Sequence, residues 1–580
     1  MTANATPDER TGQVPPVEAA PDAKHGRAGG SPPAQFADSA DLTSGSGTAK
    51  DTMTVGVWTA LSRITGVVRV IVIGAVLGPT FLGNTYQLTN SLPNLIYYGF
   101  LAGSLFVSLL VPALVQHIDQ RRPRDTARVS GGFLGVALAG LLVLAPVAVV
   151  LLPELLRVTS LGGERLSGAD QVGVARLLVL LTIPQVFLYA VVGSATAAMY
   201  AHRRFALAAA APLVENAGII VVLVLSGLLY GTGHELGARP TGQILLLGLG
   251  STGAVAAHAA VQWWGARRAG VRLVPRAGWR DPEVLATIRR AMRAVAQASL
   301  LAVQLLTLLL VSNRVAGGTV AIQMALNFYY LPIALAATPV ALALLPRLAR
   351  LHQARSAEFA PTFLQGLGLA LFLAVPAAVG YIALSGPTAA TIAAGPMASE
   401  HGRALIAGAL AAIALGLVGE TMFFVTTQAC YTREDARTPL TSMAFQAVVC
   451  LALCGTALLA PPDRLLSALG AAYTVAAVAG GIHLLLRMTR GWDRSSLLWS
   501  LGRTTLGSAL MAGPAYLVAH LVGRAVDGRL GQALALCAGS LLGLVVFGAV
   551  QALLRAPELS WLTAALPIPR RAGAPAGEAS

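Results

Sequence analysis

Two arginines stand where a charged side chain is costly. Arg63 and Arg69 fall inside the apolar run TVGVWTALSRITGVVRVIVIGAVL, which begins at Thr54. A guanidinium cannot shed its proton to enter a bilayer, and near the centre it costs roughly 2.5–3.5 kcal/mol even on a lenient insertion scale. Such a residue either snorkels back to the headgroups or faces a polar cavity holding something anionic. Six residues apart, the two point about 120° apart on a straight helix. Gly66 between them would allow a bend that turns both toward one cavity. The chemistry on offer is anion binding, with phosphate oxygens the natural match for a planar fork of N–H donors. A buried acid is the second unusual feature. Glu420 in GLVGETMFFVTTQA lies eleven residues before Tyr431, about 16 Å along a helix. Its open roles are a protonated structural group, an arginine partner, or a coupling-ion site.

The elements that carry these residues follow from composition. The chain is 55% hydrophobic and only 12% charged over 580 residues, with a mean hydropathy of +0.68. A soluble protein would carry about twice that charge. An all-α polytopic membrane protein is expected, with about fourteen spans near 54–77, 88–116, 130–152, 176–199, 207–230, 242–264, 294–313, 319–345, 362–384, 403–429, 438–460, 465–486, 500–523 and 531–554. The formal charge of +15 is no sign of nucleic acid, because the arginines sit in short loops as topology signals. The even-numbered connections hold QRRPRDTAR, AHRRF, PRLARLHQAR, YTREDARTP and the like, whereas the odd ones are neutral or mixed. That alternation puts both termini in the cytoplasm. Residues 1–51 lack apolar periodicity and any signal-peptide core, so a disordered cytoplasmic tail is expected, with a second tail over 557–580.

An internal repeat divides the spans. The interval from Pro112 to Pro346 equals that from Pro153 to Pro387, and the interval from Tyr200 to Tyr431 is nearly the same. Two parallel six-helix lobes are expected, 52–270 and 271–495, related by a pseudo-two-fold along the membrane normal. A further helix pair follows at 496–556. Lobes that rock against each other suit alternating access.

Several segments resemble one family. SRITGVVRV at Arg63, SLPNL at Pro93, HRRF followed by AAAAP and Asn216, LLPRLARL at Pro346, and YTREDARTP at Tyr431 are similar to the signatures of the MurJ (MviN) lipid II flippases, within the multidrug/oligosaccharidyl-lipid/polysaccharide exporter superfamily. The resemblance is clear from Thr54 to Arg490. It implies a bacterial cytoplasmic-membrane transporter, not an enzyme, that turns an undecaprenyl-pyrophosphate-linked precursor from the inner to the outer leaflet. It further implies a V-shaped pair of lobes around a cationic cavity, a lipid-tail groove on the last two helices, and contact with membrane lipids and cell-wall synthesis machinery. By the same resemblance Arg63, Arg69, Asn84, Asn94, Tyr98 and Asn327 are expected to meet substrate. Arg314, at the outer end of the seventh run, is read from its position either as a phosphate contact at the outer mouth or as an ordinary interfacial arginine. Arg204, Glu215, Asn216, Arg433 and Asp435 are expected to form gates and loops, with Glu215 nearer the cytoplasmic surface. Asn84, Tyr98 and Asn327 stand where relatives carry one acid and two bases, which would leave the cavity about one unit less positive.

No P-loop or hydrolytic motif is present, so nucleotide hydrolysis is not the expected energy source within this chain. The resemblance implies that an ion gradient or the membrane potential biases the cycle, and no cofactor is implied. The other readings are a flippase of another polyprenyl-linked glycan, a cation-coupled exporter of small amphiphiles anchored on Glu420, and a non-transporting scaffold. The four cysteines lie in or beside apolar runs, and no disulfide or metal site is expected. His117, His234, His258, His483 and His520 have no acid or second histidine at helical spacing, and no role is expected of them.

Overall fold

The computed structural model describes residues 46–100, 103–159, 165–235 and 240–565. The expected tails therefore lie largely outside the described residues, as does the side chain of Tyr98. Among the described residues there is no strand. In chain order the helices are α1 Ser46–Leu77, α2 Phe81–Phe100, α3 Gly103–Asp119, α4 Pro123–Thr159, α5 Arg165–Thr182, α6 Gln185–Ala201, α7 Phe205–Tyr230, α8 Thr241–Arg268, α9 Pro282–Ser312, α10 Gly318–Pro332, α11 Thr338–Gln353, α12 Phe359–Ala383, α13 Ser385–Ile392, α14 Glu400–Ala414, α15 Gly416–Thr432, α16 Arg437–Ala457, α17 Pro462–Met488, α18 Ser495–Ala525, α19 Gly528–Leu553 and α20 Pro557–Ala565.

Of these, twelve spans are long and apolar enough to cross a membrane, thirteen when α14 and α15, bent by 46°, are taken together. The expected fourteen is thus an approximate count. The remaining run, 88–116, falls on α2 and α3, neither of which qualifies alone among the described residues. Pro93 within α2 and Pro112 within α3 remove backbone donors and lower the regularity of this stretch.

Helix breaks recur at the spacing of the repeat. α5 gives way to α6 at Ile183–Pro184, and α14 to α15 at Leu415, which lies as far beyond Pro184 as Tyr431 lies beyond Tyr200. Left-handed backbone at a non-glycine residue is uncommon, yet it closes α3 at Arg121 and α11 at Arg355, separated by the same interval as Pro112 and Pro346. It also closes α6 at Arg203 and α15 at Glu434, which repeat the tyrosine interval. A π-helical turn at Ile333–Ala337 joins α10 to α11. Such turns interrupt the regular ladder and shift the register of the next helix.

Association of these helices cannot rest on hydrophobicity, since lipid is as apolar as leucine, so close packing of small residues carries it. Gly419 in α15 shows this: a Cβ there would lie 2.4 Å from the Ala477 carbonyl carbon of α17. Gly317, at φ +75°, brings the α9–α10 turn against the α1–α2 turn, where a Cβ would sit 2.4 Å from Pro79 Cα. α1 packs along α7, and α2 lies between α5 and α9, while α10 touches α1, α2 and α14. These contacts place α1, α2, α6, α7, α9 and α10 around one space.

Candidate functional site

A polar cavity of about 300 Å³ lies within this helix set. α1 contributes Arg63 and Arg69, α2 contributes Gln87, Asn90, Ser91 and Asn94, and α10 contributes Gln323, Asn327 and Tyr330. Tyr189 of α6 and Glu215 of α7 complete the polar wall, with Leu305 and Leu309 of α9 opposite. Both arginines reach the same cavity from a single continuous helix, so no break at Gly66 is needed. Two arginines and one carboxylate give the lining a formal charge of +1.

Arg69 is the better anchored of the two. Its Nη1 lies 3.5 Å from Glu215 Oε1, while its Nε is buried without a partner. Glu215 is only 7% exposed and is held from three helices. Tyr189 Oη donates to Oε1 at 2.9 Å, and His258 Nδ1 of α8 lies 2.8 Å from Oε2. Tyr97 stacks on Tyr189, with ring centroids 5.6 Å apart. Next in sequence, Asn216 Nδ2 donates to Ser62 O and Thr65 Oγ1, both at 3.2 Å, and so ties α7 to α1 one turn from the arginines.

The structure corrects three readings. Asn84 does not face the cavity. Its Nδ2 donates to Val315 O at 2.7 Å, and its Oδ1 accepts from Thr319 N at 3.0 Å, so it clamps α2 to the α9–α10 turn with no exposed surface. Arg314 likewise sits in that turn and donates to Leu458 O at 3.3 Å, beyond the cavity lining. Two histidines do have acid partners, contrary to expectation. His258 meets Glu215, and His117 Nε2 lies 2.7 Å from Glu283 Oε1, beside an Arg128 that bridges Asp281 and Glu283. The acids are 43 and 166 residues distant in sequence, out of reach of any helical spacing rule.

The other expected residues divide between cavity and loops. Asn94 and Asn327 line the cavity, although Asn327 Nδ2 is turned to Gln323 O at 2.7 Å. Glu420 is 9% exposed and lies outside the lining, close to the clustered rings of Tyr329, Tyr330 and Tyr473. Gln446 is set against its carboxyl. By the repeat interval that links Tyr200 to Tyr431, Glu420 is the counterpart of Tyr189 and Gln446 that of Glu215. The acid therefore stands on α7 in one half of the repeat and on the counterpart of α6 in the other.

Arg204 is an exposed residue at the start of α7. Arg433 closes α15 and reaches the Phe359 ring at 6.0 Å. Asp435 Oδ1 accepts from the backbone N–H groups of Arg437 and Thr438, each at 3.0 Å, and caps α16. Partial burial raises its pKa, but those hydrogen bonds and the nearby Arg433 outweigh it and hold the carboxyl below the ordinary value.

Sequence reading passed over Gln87, Asn90, Gln323, Tyr189 and His258. A signal for most of them existed. Gln87, Asn90 or Ser91, and Asn94 recur at helical spacing along one face of α2, and Gln323 and Asn327 are four apart on α10. Polar stripes within apolar runs face the interior of a bundle rather than lipid. Unpartnered buried oxygens at Gln87 Oε1 and Asn90 Oδ1 leave acceptors on this wall, suited to hydroxyl or amide donors of a ligand.

The chain is similar to known proteins over most of its length. A family profile described as "Lipid II flippase MurJ" matches residues 73–528. A "Probable lipid II flippase MurJ" of Rhizobium tropici is 26% identical over 478 residues, covering 81% of this chain and 87% of that protein. A protein of the same description from Rhizobium meliloti (strain 1021) is 26% identical over 477 residues, covering 80% and 85%. Among solved structures, "Lipid II flippase MurJ, inward closed conformation" superposes with a TM-score of 0.66 at 17% identity, covering 87% of this chain and all of that one. The match over residues 73–528, most of the chain, places this chain in the lipid II flippase MurJ family.

Proposed function

We propose that this protein is a lipid II flippase, a multi-pass transporter of the bacterial inner membrane and not an enzyme. The observation that carries this reading is the shared cavity of Arg63 and Arg69, walled by amides and enclosed by apolar helices. A diphosphate matches two guanidinium groups, and sugar hydroxyls and peptide amides match Gln87, Asn90, Asn94, Gln323 and Asn327. A volume of about 300 Å³ accommodates a diphosphate with little more than one sugar, so a disaccharide-pentapeptide headgroup requires the helices to part.

Alternating access is the mechanism we favour. Helix breaks and left-handed caps that recur at the intervals of the proline and tyrosine landmarks support two parallel lobes, 52–270 and 271–495, followed by the helix pair at 496–556. The lobes rock about the cavity while Arg63 and Arg69 neutralise the phosphates. The arginine-rich even connections support cytoplasmic termini. Membrane potential supplies about 2.3 kcal/mol per charge per 100 mV and can bias the cycle. Docking to envelope-synthesis partners accords with such a role. The exporter reading anchored on Glu420 loses support, because that acid does not line the cavity.

Complementation tests the proposal. In a strain depleted of its own lipid II flippase, this protein is expected to restore growth and clear accumulated lipid II. If a well-expressed, membrane-inserted protein leaves lipid II in the inner leaflet while another polyprenyl-linked glycan accumulates on its loss, the substrate assignment is wrong.

A further inference from the structure

Glu215 and His258 form a buried pair that anion recognition alone does not require. Glu215 touches the cavity, whereas His258 stands behind it, 4% exposed, with Nδ1 2.8 Å from Glu215 Oε2. The other ring nitrogen of His258 faces the Gln262 amide, whose Nε2 is 3.5 Å away. With the ring neutral, Nδ1–H donates to the carboxylate and Nε2 faces the Gln262 amide. Gln262 is 1% exposed and its Oε1 is buried without a partner. A rotation of that amide, which gives up its 3.3 Å hydrogen bond to Ala208 O, would turn an acceptor toward His258 Nε2, which is what a second ring proton needs.

The charges around the pair decide when that proton is wanted. Among the described residues, α1 presents Arg69 and, further along the cavity wall, Arg63. α6 presents Tyr189, which donates to Glu215, and α2 presents Tyr97 stacked on Tyr189. α8 presents His258 itself and Gln262. With the cavity empty, Arg69 and Glu215 balance. An anion that draws the guanidinium away leaves a buried carboxylate with neutral neighbours only, a costly state. One proton taken up by the pair restores neutrality.

We propose that Glu215 and His258 form a proton-binding site that is loaded when a phosphate anion draws Arg69 off Glu215. The proton comes from the bulk solution by way of the cavity and enters at the carboxylate that lines it. It is released when the anion departs and Arg69 returns, so each transport cycle carries one proton with it. Linkage makes the effect reciprocal: protonation of the pair frees Arg69 and strengthens anion binding. Affinity therefore rises as pH falls, by up to about tenfold per unit wherever the pair is unprotonated free and protonated bound. This proposal rests on the reading of the cavity as a diphosphate site.

The test is calorimetric titration of the full-length protein in nanodiscs with farnesyl pyrophosphate, in buffers of different ionisation enthalpy, at pH 7.5–8.5. In that range the ligand is fully ionised. Uptake of close to one proton per ligand is expected, with uptake reduced for His258→Gln, in which the carboxylate alone can titrate, while binding persists. Binding without proton uptake overturns the proposal, as does undiminished uptake by His258→Gln. Should that variant fail to fold, Gln262→Leu keeps both titrating groups and removes the acceptor for the second ring proton. It is expected to reduce uptake at pH 8.5, and unchanged uptake overturns the proposal. If the wild-type protein binds no pyrophosphate at any pH, the diphosphate reading itself fails and the coupling falls with it.

Discussion

Arg69 Nη1 lies 3.5 Å from Glu215 Oε1, across 146 residues of sequence, and this pair joins α1 to α7 at the wall of the cavity. The contact is long for a charge-assisted hydrogen bond, so the guanidinium is held without being consumed. Its Nε has no partner at all. An arginine so placed can exchange an internal carboxylate for an incoming phosphate.

Arg69→Ala is therefore expected to lower flippase activity at least about tenfold, which corresponds to 1.4 kcal/mol, while membrane abundance stays near normal. Arg69→Lys should recover part of the loss, since an ammonium cannot bind two phosphate oxygens in a fork. Lipid II exposure at the outer leaflet, measured alongside immunoblots of membrane fractions, decides it. Full activity of Arg69→Ala would remove Arg69 from the site.

Asn84 is a clamp, and restoring an acid there should harm rather than help. Its amide hydrogens meet backbone carbonyls at Val315 and, more loosely, Asn313. A carboxylate would set an uncompensated charge against those oxygens in a site with no solvent exposure. Asn84→Asp is expected to lower thermal stability in detergent by about 3–5 kcal/mol equivalent, in the range of a broken buried pair. Asn84→Ala should cost less, about 1–3 kcal/mol for the stranded backbone groups. A variant as stable as wild type would contradict the clamp.

Sidedness can be read with single cysteines in a background without the native four. Arg464, in the first turn of α17, and Arg280, before α9, are both exposed. A cysteine at 464 should react with an impermeant reagent from outside, and one at 280 only after the membrane is opened. Gly278 is unsuitable, because a Cβ there would lie 2.2 Å from Gly132 O. The reverse pattern would overturn the proposed orientation.

The cap at Asp435 carries a pH signature. Hydrogen bonds hold its carboxyl below the ordinary value of 3.8, so the folded state binds fewer protons there than the unfolded chain. The stabilisation is fully present above 3.8 and is lost as pH falls through the lower, folded value. Asp435→Ala is expected to cost about 0.5–2 kcal/mol at pH 7, with the gap to wild type closing below pH 3.8. Thermal melts of both proteins at pH 7 and pH 3 give the comparison.

The class of the molecule was legible in its residues because lipid leaves few solutions. A span must satisfy its own backbone, so long apolar runs can only be helices, and the rare charges within them must face inward. Arg63 and Arg69 could be picked out on that ground alone, and the repeat is visible in the spacing of the prolines and tyrosines. Partners could not be read the same way. Glu215 finds His258, Arg69 and Tyr189 only when α1, α6, α7 and α8 pack together, and His117 finds Glu283 across 166 residues. Asn84 shows the converse, since its position promised a cavity residue and packing made it a clamp. Local spacing fixes which face of a helix a residue occupies, whereas only the meeting of faces distant in the chain decides what that residue touches.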